Sequence, residues 1–401
     1  MRKMSLSPRF GLSLSCFAFL VLFTFSFSSV SSASTWKKEI VDSSGDVGLY
    51  SSIGTDGSNH IHISYYDQSN HVVMYGTNAS GSWVLEEVDR SDNWKKHMSL
   101  AVDVSDDVHI SYYDDSANAL KYATNASGEW VIQTVDSGED VNVGEYSCIA
   151  VDASYNVHIS YRDVWNTALK YATDVSGDWD PVTVDNSGDV DHYTSIAVES
   201  SGTPHISYYI GGSDTALMYA TKASGEWTTE TVESTNIVGK YSSIALDSTN
   251  NIHIGYYDDS SDDLKYASKG ATFGWTTETV DSGGLVGTYT SIGLDSKDNV
   301  HISYRDATTE NFNLKYATNE SESGDWETEA VDSTNNVGTY TSLAVDESDD
   351  VHISYYDETS DNLKYAEKTE GDDDDNGDNS DEDVFFHCFI STMWNGFGMR
   401  P

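Results

Sequence analysis

Val108-His109-Ile110-Ser111-Tyr112-Tyr113-Asp114 alternates β-branched or aromatic side chains with small polar ones, and close copies of it recur along the chain. The histidine of the motif returns as His62, His109, His158, His205, His253, His301 and His352, at spacings of 47, 49, 47, 48, 48 and 51 residues. Working outward from one copy, the unit around His253 reads YSSIALD (241–247), IHIGYYD (252–258), LKYAS (264–268) and WTTETVD (275–281). These segments are short, β-branched and aromatic, and they are bounded by Asp, Ser, Asn and Gly, the composition of strands joined by tight turns. No helical period competes with them.

Four short strands in a repeat of this length predict a propeller blade. With the strands lettered A to D from the axis outward, A, B and C each occur seven times. Strand D is marked by Trp83, Trp130, Trp179, Trp227, Trp275 and Trp326, and once before any blade by Trp36. The N-terminal strand is therefore expected to serve as strand D of the last blade. Residues 34–369 number 336, or seven blades of 48. The expected fold is all-β: a single seven-bladed β-propeller of four-stranded antiparallel blades, closed by its N-terminal strand and leaving no inner sheet edge exposed. Such a closed ring is expected to act as a monomer.

The HISYYD and LKYAT segments, as at 109–114 and 120–124, resemble those of exported bacterial seven-bladed propellers grouped loosely with sialidase- and lectin-like folds. That resemblance implies a fold and not an activity, because propellers host hydrolases, lectins and scaffolds alike.

Charge narrows the partners. The 401 residues carry 66 Asp plus Glu against 21 Lys plus Arg, a formal charge of -45. A surface this negative repels a phosphate backbone, so nucleic acid is excluded as a partner. With 38% hydrophobic and 12% aromatic residues the chain still buries a core, and it is not a disordered acidic polymer. Most of the acidity belongs to the repeats: residues 34–369 carry -40.

The two ends read differently. Residues 1–33 place Arg2, Lys3 and Arg9 before an apolar run and end in Val30-Ser31-Ser32-Ala33, the pattern of a secretory signal peptide cleaved after Ala33. Cys16 lies inside that run without the residues that precede a lipidated cysteine. No later segment is long and apolar enough to span a bilayer, so a secreted or cell-surface protein without an integral span is expected. Cys148 and Cys388 are too few for a disulfide framework. Residues 370–383, EGDDDDNGDNSDED, read as an extended acidic linker. The tail 384–401 contains Cys388-Phe389-Ile390-Ser391-Thr392, which resembles a C-terminal sorting box of exported bacterial proteins but departs from it at Met393-Trp394-Asn395. A frayed or frameshifted end remains the alternative reading.

In a tandem repeat, what recurs in every blade is most simply scaffold, and departures mark candidate sites. The seven histidines fall in the first group and are expected to be hydrogen-bonded interior residues. The A–B turns are rich in Asp, Asn and Ser, and Asp346, Ser348 and Asp350 have the alternate spacing that calcium would suit, the one cofactor suggested. The same residues also make ordinary hairpin turns.

Departures cluster before strand A and after strand B. Most blades read V-G-x-Y before strand A, as in Val238-Gly239-Lys240-Tyr241, whereas blade 2 has Trp94-Lys95-Lys96-His97 and blade 4 has Asp191-His192-Tyr193. Trp165 lies in the B–C loop of blade 3, and the second Tyr of the strand-B motif becomes Arg162 and Arg305 in two blades. Because successive strands are antiparallel, D–A and B–C loops open on one end. Trp94, Lys96, His97, Arg162, Trp165, His192 and Arg305 are thus the candidate ligand-binding residues, with the position before each strand-A aromatic, Leu49, Lys96, Glu145, His192, Lys240, Thr288 and Thr339, expected at the channel rim. Trp with Arg, Lys and His on an acidic body suits stacking on a sugar or anchoring a peptide.

The leading expectation is a non-catalytic binding module for a glycan or an extracellular protein. The alternatives are a glycoside hydrolase or lyase of the sialidase-like class, and a multivalent structural or adhesive surface protein. A sialidase-like site needs three converging arginines, while residues 34–369 hold only Arg90, Arg162 and Arg305 and lack that class's aspartate-box turn.

Overall fold

The computed structural model describes residues 36–369 apart from 91–94, 139–140, 273, 309, 311 and 322. The proposed signal peptide, the 370–383 linker, the tail and Trp94 lie outside the described residues. Within them all 28 regular elements are strands, arranged as seven four-stranded antiparallel sheets. Blade 1 is typical: strand A (Val47–Thr55), B (Ile61–Asp67), C (Val72–Thr77) and D (Val84–Arg90) pair in chain order.

Blade 7 is completed from the other end of the chain. Lys37–Asp42 pairs antiparallel with Asn362–Lys368, from Lys37↔Glu367 to Asp42↔Leu363. The seam is sealed nearer the axis as well, where Ser51 Oγ donates to the Tyr340 carbonyl at 2.9 Å and Ile53 N donates to Ser342 Oγ at 3.3 Å. Trp36 sits edge-on to Tyr316 of blade 6 at 5.2 Å, as Trp83 does to Tyr365 of blade 7 at 5.5 Å. The displaced strand thus fills the place of a seventh strand D. Each seam is a mixed core, such as Ile61, Ile63 and Tyr65 of blade 1 against Leu363 and Tyr365 of blade 7. Burial of this kind contributes roughly 1.5–3 kcal/mol per large side chain.

Strand B is buried on both faces in most blades because a neighbouring blade covers each face, and this explains how a histidine and a serine can sit at the core of the motif. In blade 7, Tyr365 OH of strand C lies 2.6 Å from His352 Nδ1, while His352 Nε2 lies 3.1 Å from Asp346 Oδ2. The other Asp346 oxygen accepts from Ser348 N at 2.8 Å and Asp350 N at 3.0 Å. Asp346 and the backbone N–H groups of Ser348 and Asp350 thereby form a hairpin turn, and among the described residues no group of three or more His, Cys, Asp or Glu is placed to hold a metal. The same Tyr–His–carboxylate chain occurs at His62, His109, His158, His205 and His253, with Glu199 in place of Asp in blade 4, whereas His301 keeps its Tyr316 bond but its Nε2 stands 3.5 Å from Asp295. Burial pushes His62, His158, His205, His253 and His301 below the ordinary imidazole value despite the carboxylate beside each. For Asp56, burial works to raise the carboxyl, but hydrogen bonds from His60, Ser58 and His62 outweigh it and hold the group at about 2.

Candidate functional site

Two residues before the ring position, Gly48, Gly144, Gly239, Gly287 and Gly338 have φ between 91° and 110°. Only glycine takes that conformation readily, and its missing Cβ lets strand A lie against the preceding blade. The register then slips, as between Leu49 and Ser52 in blade 1, and the extra residue bulges toward the axis. That residue is Tyr50, His97, Tyr146, Tyr193, Tyr241, Tyr289 or Tyr340, and all seven have φ between 51° and 69°. A left-handed backbone is uncommon for a bulky L-residue, and seven in one ring form a built feature held by the surrounding sheets.

Their side chains close a circle of aromatic contacts. Ring centroids are 5.2 Å apart for Tyr50–His97, 3.8 Å for His97–Tyr146, 5.3 Å for Tyr146–Tyr193 and 4.1 Å for Tyr193–Tyr241. The circle continues at 4.8 Å for Tyr241–Tyr289, 5.2 Å for Tyr289–Tyr340 and 4.5 Å back to Tyr50. All seven are half-buried and line a cavity of about 300 Å³ at the D–A and B–C end of the channel. Burial pushes the phenols of Tyr50, Tyr146, Tyr193, Tyr289 and Tyr340 upward, so they stay protonated and able to donate. Burial also pushes His97 down to about 3, reinforced by the charges of Lys96, His192 and Arg162. Its neutral imidazole stacks on Tyr146, and its Nδ1 has no hydrogen-bond partner among the described residues.

Sequence reasoning missed the six tyrosines because they recur, and recurrence was read as scaffold. The available signal is the glycine two residues ahead of five of them, which marks a bulge where the chain nears the axis.

The sequence-predicted residues surround this ring in different ways. Lys96 and His192 belong to the rim and His97 to the ring itself, with His192 edge-on to Tyr146 at 4.5 Å. The rim position turns outward to the B–C turn instead of into the channel: Lys96 Nζ lies 3.5 Å from Asp115, Lys240 Nζ donates to Asp259 at 2.9 Å, and Thr339 Oγ1 donates to Glu358. Arg162 sits in the same sector but is already engaged. Its Nε donates to the Val190 carbonyl at 3.0 Å, and its Nη atoms lie 3.6 Å from Glu145 and 3.5 Å from Asp191. Arg305, three blades away, stacks on Phe312 at 3.8 Å and lies 3.5 Å from Glu358. The two arginines thus serve separate seams. Trp165 stands on the B–C turn of blade 3 with 57% of its surface exposed.

No protein-family model and no curated protein matches the chain. Among solved structures it is similar to a protein of unknown function from Dyadobacter fermentans, with 9% identity and a TM-score of 0.54 over 83% of this chain and 98% of that one. It is also similar to an ulvan lyase of polysaccharide lyase family PL25, solved bound to GlcA(1-4)Rha3S, with 13% identity and a TM-score of 0.55 over 78% of this chain and 90% of that one. AofleA from Arthrobotrys oligospora matches at 13% identity and a TM-score of 0.50, over 75% and 91% of the two chains. At these identities the likeness is one of fold, and the fold is the seven-bladed β-propeller.

Proposed function

We propose that the protein is an exported, non-catalytic propeller that binds a glycan at the aromatic mouth of its channel. The observation that carries this reading is the ring of six tyrosines and His97, held in left-handed backbone around a cavity of about 300 Å³. Such a cavity lies at the low end of ligand-pocket size, which suits one sugar unit at the end of a chain. The apolar C–H face of a pyranose stacks on tyrosine rings, while phenol hydroxyls and the unpartnered His97 Nδ1 answer its hydroxyls. Support for carbohydrate as the ligand class also comes from the similar propeller solved with a bound saccharide. Binding is favoured over catalysis because Arg162 and Arg305 are each engaged by carboxylates of their own seams.

Glycan-array screening of the mature chain followed by titration calorimetry tests the reading. Binding with one ligand per propeller is expected, falling at least tenfold in the Tyr193→Ala, Tyr241→Ala double variant. A stoichiometry near seven would favour the multivalent surface protein instead. Absence of glycan binding, or turnover of a bound polysaccharide, overturns the proposal.

A further inference from the structure

Blade 4 departs from the other blades at two places that the fold brings together. Where five blades carry the bulge glycine, blade 4 carries Asp191. A Cβ at Gly48, Gly144, Gly239, Gly287 or Gly338 would come within 2.7–3.1 Å of backbone atoms in strand C of the preceding blade. Blade 2 carries Lys95 there and still begins strand A at that residue, whereas Asp191 does not follow that path. Strand A of blade 4 accordingly begins only at Ser195, preceded by a single isolated bridge, Val190↔Ile210. The second departure faces the first. Asp67, Asp114, Asp163, Asp258, Asp306 and Asp357 end strand B in six blades, but blade 4 reads Ile210-Gly211-Gly212. A Cβ on Gly211 would lie 3.1 Å from Asp191 Oδ2 and 3.2 Å from its Cβ, so the glycine leaves the space that Asp191 fills.

Beside this opened strand lies a second cavity, of about 330 Å³, on the same end of the propeller. Tyr193 and Tyr241 line both it and the central cavity, so the two are adjoining chambers with a shared aromatic wall. The chambers differ in chemistry. Asp191 Oδ1 lies 2.6 Å from His192 Nδ1, Asp259 accepts from Lys240 at 2.9 Å, and Tyr257 OH donates to Asp262 at 2.6 Å, which leaves its oxygen free to accept. Lys240 and His192 each face a carboxylate, and each carboxylate keeps lone pairs for a hydroxyl donor.

We propose that this side chamber is a second subsite, taking the sugar next to the one held at the aromatic ring, and that it accepts a neutral, hydroxyl-rich unit. This rests on the glycan-binding reading above. A uronate or sulfated unit is disfavoured because its charge would meet Asp191 and Asp259 with Arg162 and Lys240 already engaged by those carboxylates, on a chain of net charge -45. The paired carboxylate and amine groups instead suit bidentate bonds to vicinal hydroxyls.

Calorimetric titration with glucose, mannose and N-acetylglucosamine, their β-1,4-linked disaccharides, and glucuronate-containing disaccharides tests the inference. The parent is expected to bind its preferred neutral disaccharide at least tenfold more tightly than the monosaccharide. In the Lys240→Gln, Asp259→Asn double variant that advantage should shrink to under threefold, with thermal melting confirming the fold. In Asp191→Gly, which restores the bulge glycine, the advantage should shrink likewise. If the monosaccharide binds and chain length makes no difference, the subsite falls while the glycan reading stands. The subsite also falls if the advantage survives both variants or if the acidic disaccharides bind best. If no sugar binds the parent, both readings fall.

Discussion

The two ends of the propeller solve the same sevenfold problem in opposite ways. At the A–B turns each histidine is tied to a carboxylate of its own blade, and neighbouring turns are linked sideways, as where Ser248 donates to Asp298 at 2.8 and 2.6 Å and Ser296 donates to Asp349 at 2.7 and 2.8 Å. Most polar groups there are used up inside the protein, although His301 Nε2 stands 3.5 Å from Asp295 without a hydrogen bond among the described residues. At the D–A and B–C end the backbone is strained at seven aromatic positions, His97 keeps an unpartnered nitrogen, and Asp191 interrupts a strand. At that end the strained aromatic positions and an unmet hydrogen bond gather around one channel mouth. Position relative to the axis is what separates the two cases. A residue that recurs far from the axis is seven separate scaffold parts, while one that recurs at the axis is a single composite site.

Acid should break the comparison most strongly, because five depressed histidines belong to the A–B end against His97 at the other. Burial holds His62, His158, His205, His253 and His301 below the ordinary imidazole value, so the unfolded chain takes up protons that the native one refuses. Stability is therefore complete above about pH 6.5 and falls as pH drops below it, by up to about 1.4 kcal/mol per pH unit for each such histidine. A second loss follows below about pH 4, where Asp56 and Asp247, both held at about 2, are ionised in the native state while the unfolded chain is already protonated. The share of ligand affinity that rests on His97 should stay flat from pH 8 to pH 5, since that imidazole remains neutral down to about 3. Melting curves across this range check the first claim and titrations the second. A melting temperature that does not change between pH 7 and pH 5 would refute the view of the histidines as buried neutral groups.

Exchanging the residues that distinguish blade 4 from a regular blade gives the next largest effect. Gly287→Asp places a side chain where a Cβ already meets Leu264 Cα at 2.8 Å, at a residue with φ of 105°. A loss on the order of 3 kcal/mol or more is expected, seen as a fall of at least about 5 °C in the melting temperature. The reverse exchange, Asp191→Gly, should move it by no more than about 2 °C. Equal losses in the two variants would mean that blade 4 is not adapted to its aspartate.

The fold was legible because the period of about 48 residues and the lone Trp36 ahead of the first blade jointly specify both blade number and closure. That Lys96, His97, Arg162 and His192 share one end was legible too, since they break the pattern and the antiparallel alternation puts them together. What Arg162 does there was not legible. Its partners include the Val190 carbonyl and Asp191, 28 and 29 residues further on, and they come within reach because strand A of blade 4 opens. That opening goes with Asp191 filling the space beside Gly211, which no local pattern shows. One trace was present, in that Asp191 for Gly and Gly211 for a turn residue change together in a single blade.

The smallest effect concerns the seam between blades 1 and 2, where scaffold and site meet. The buried serine of strand B shares a hydrogen bond with a hydroxyl on strand A of the next blade, as for Ser111 and Ser147 at 3.0 Å or Ser354 and Ser51 at 3.2 Å. Blade 2 offers Met98 at that place, directly after His97, and Ser64 Oγ is left without a partner among the described residues. A buried hydroxyl with no partner costs free energy, whereas one that is bonded contributes about 1 kcal/mol. Ser64→Ala should therefore be neutral or stabilise the protein by up to about 1 kcal/mol, while Ser354→Ala should destabilise it by about that much. Opposite signs in the two melting shifts would mark blade 2 as the seam where the regular pattern gives way around His97. Matching losses would instead mean that Ser64 is as well satisfied as its counterparts, and that His97 is a drifted tyrosine within ordinary scaffold.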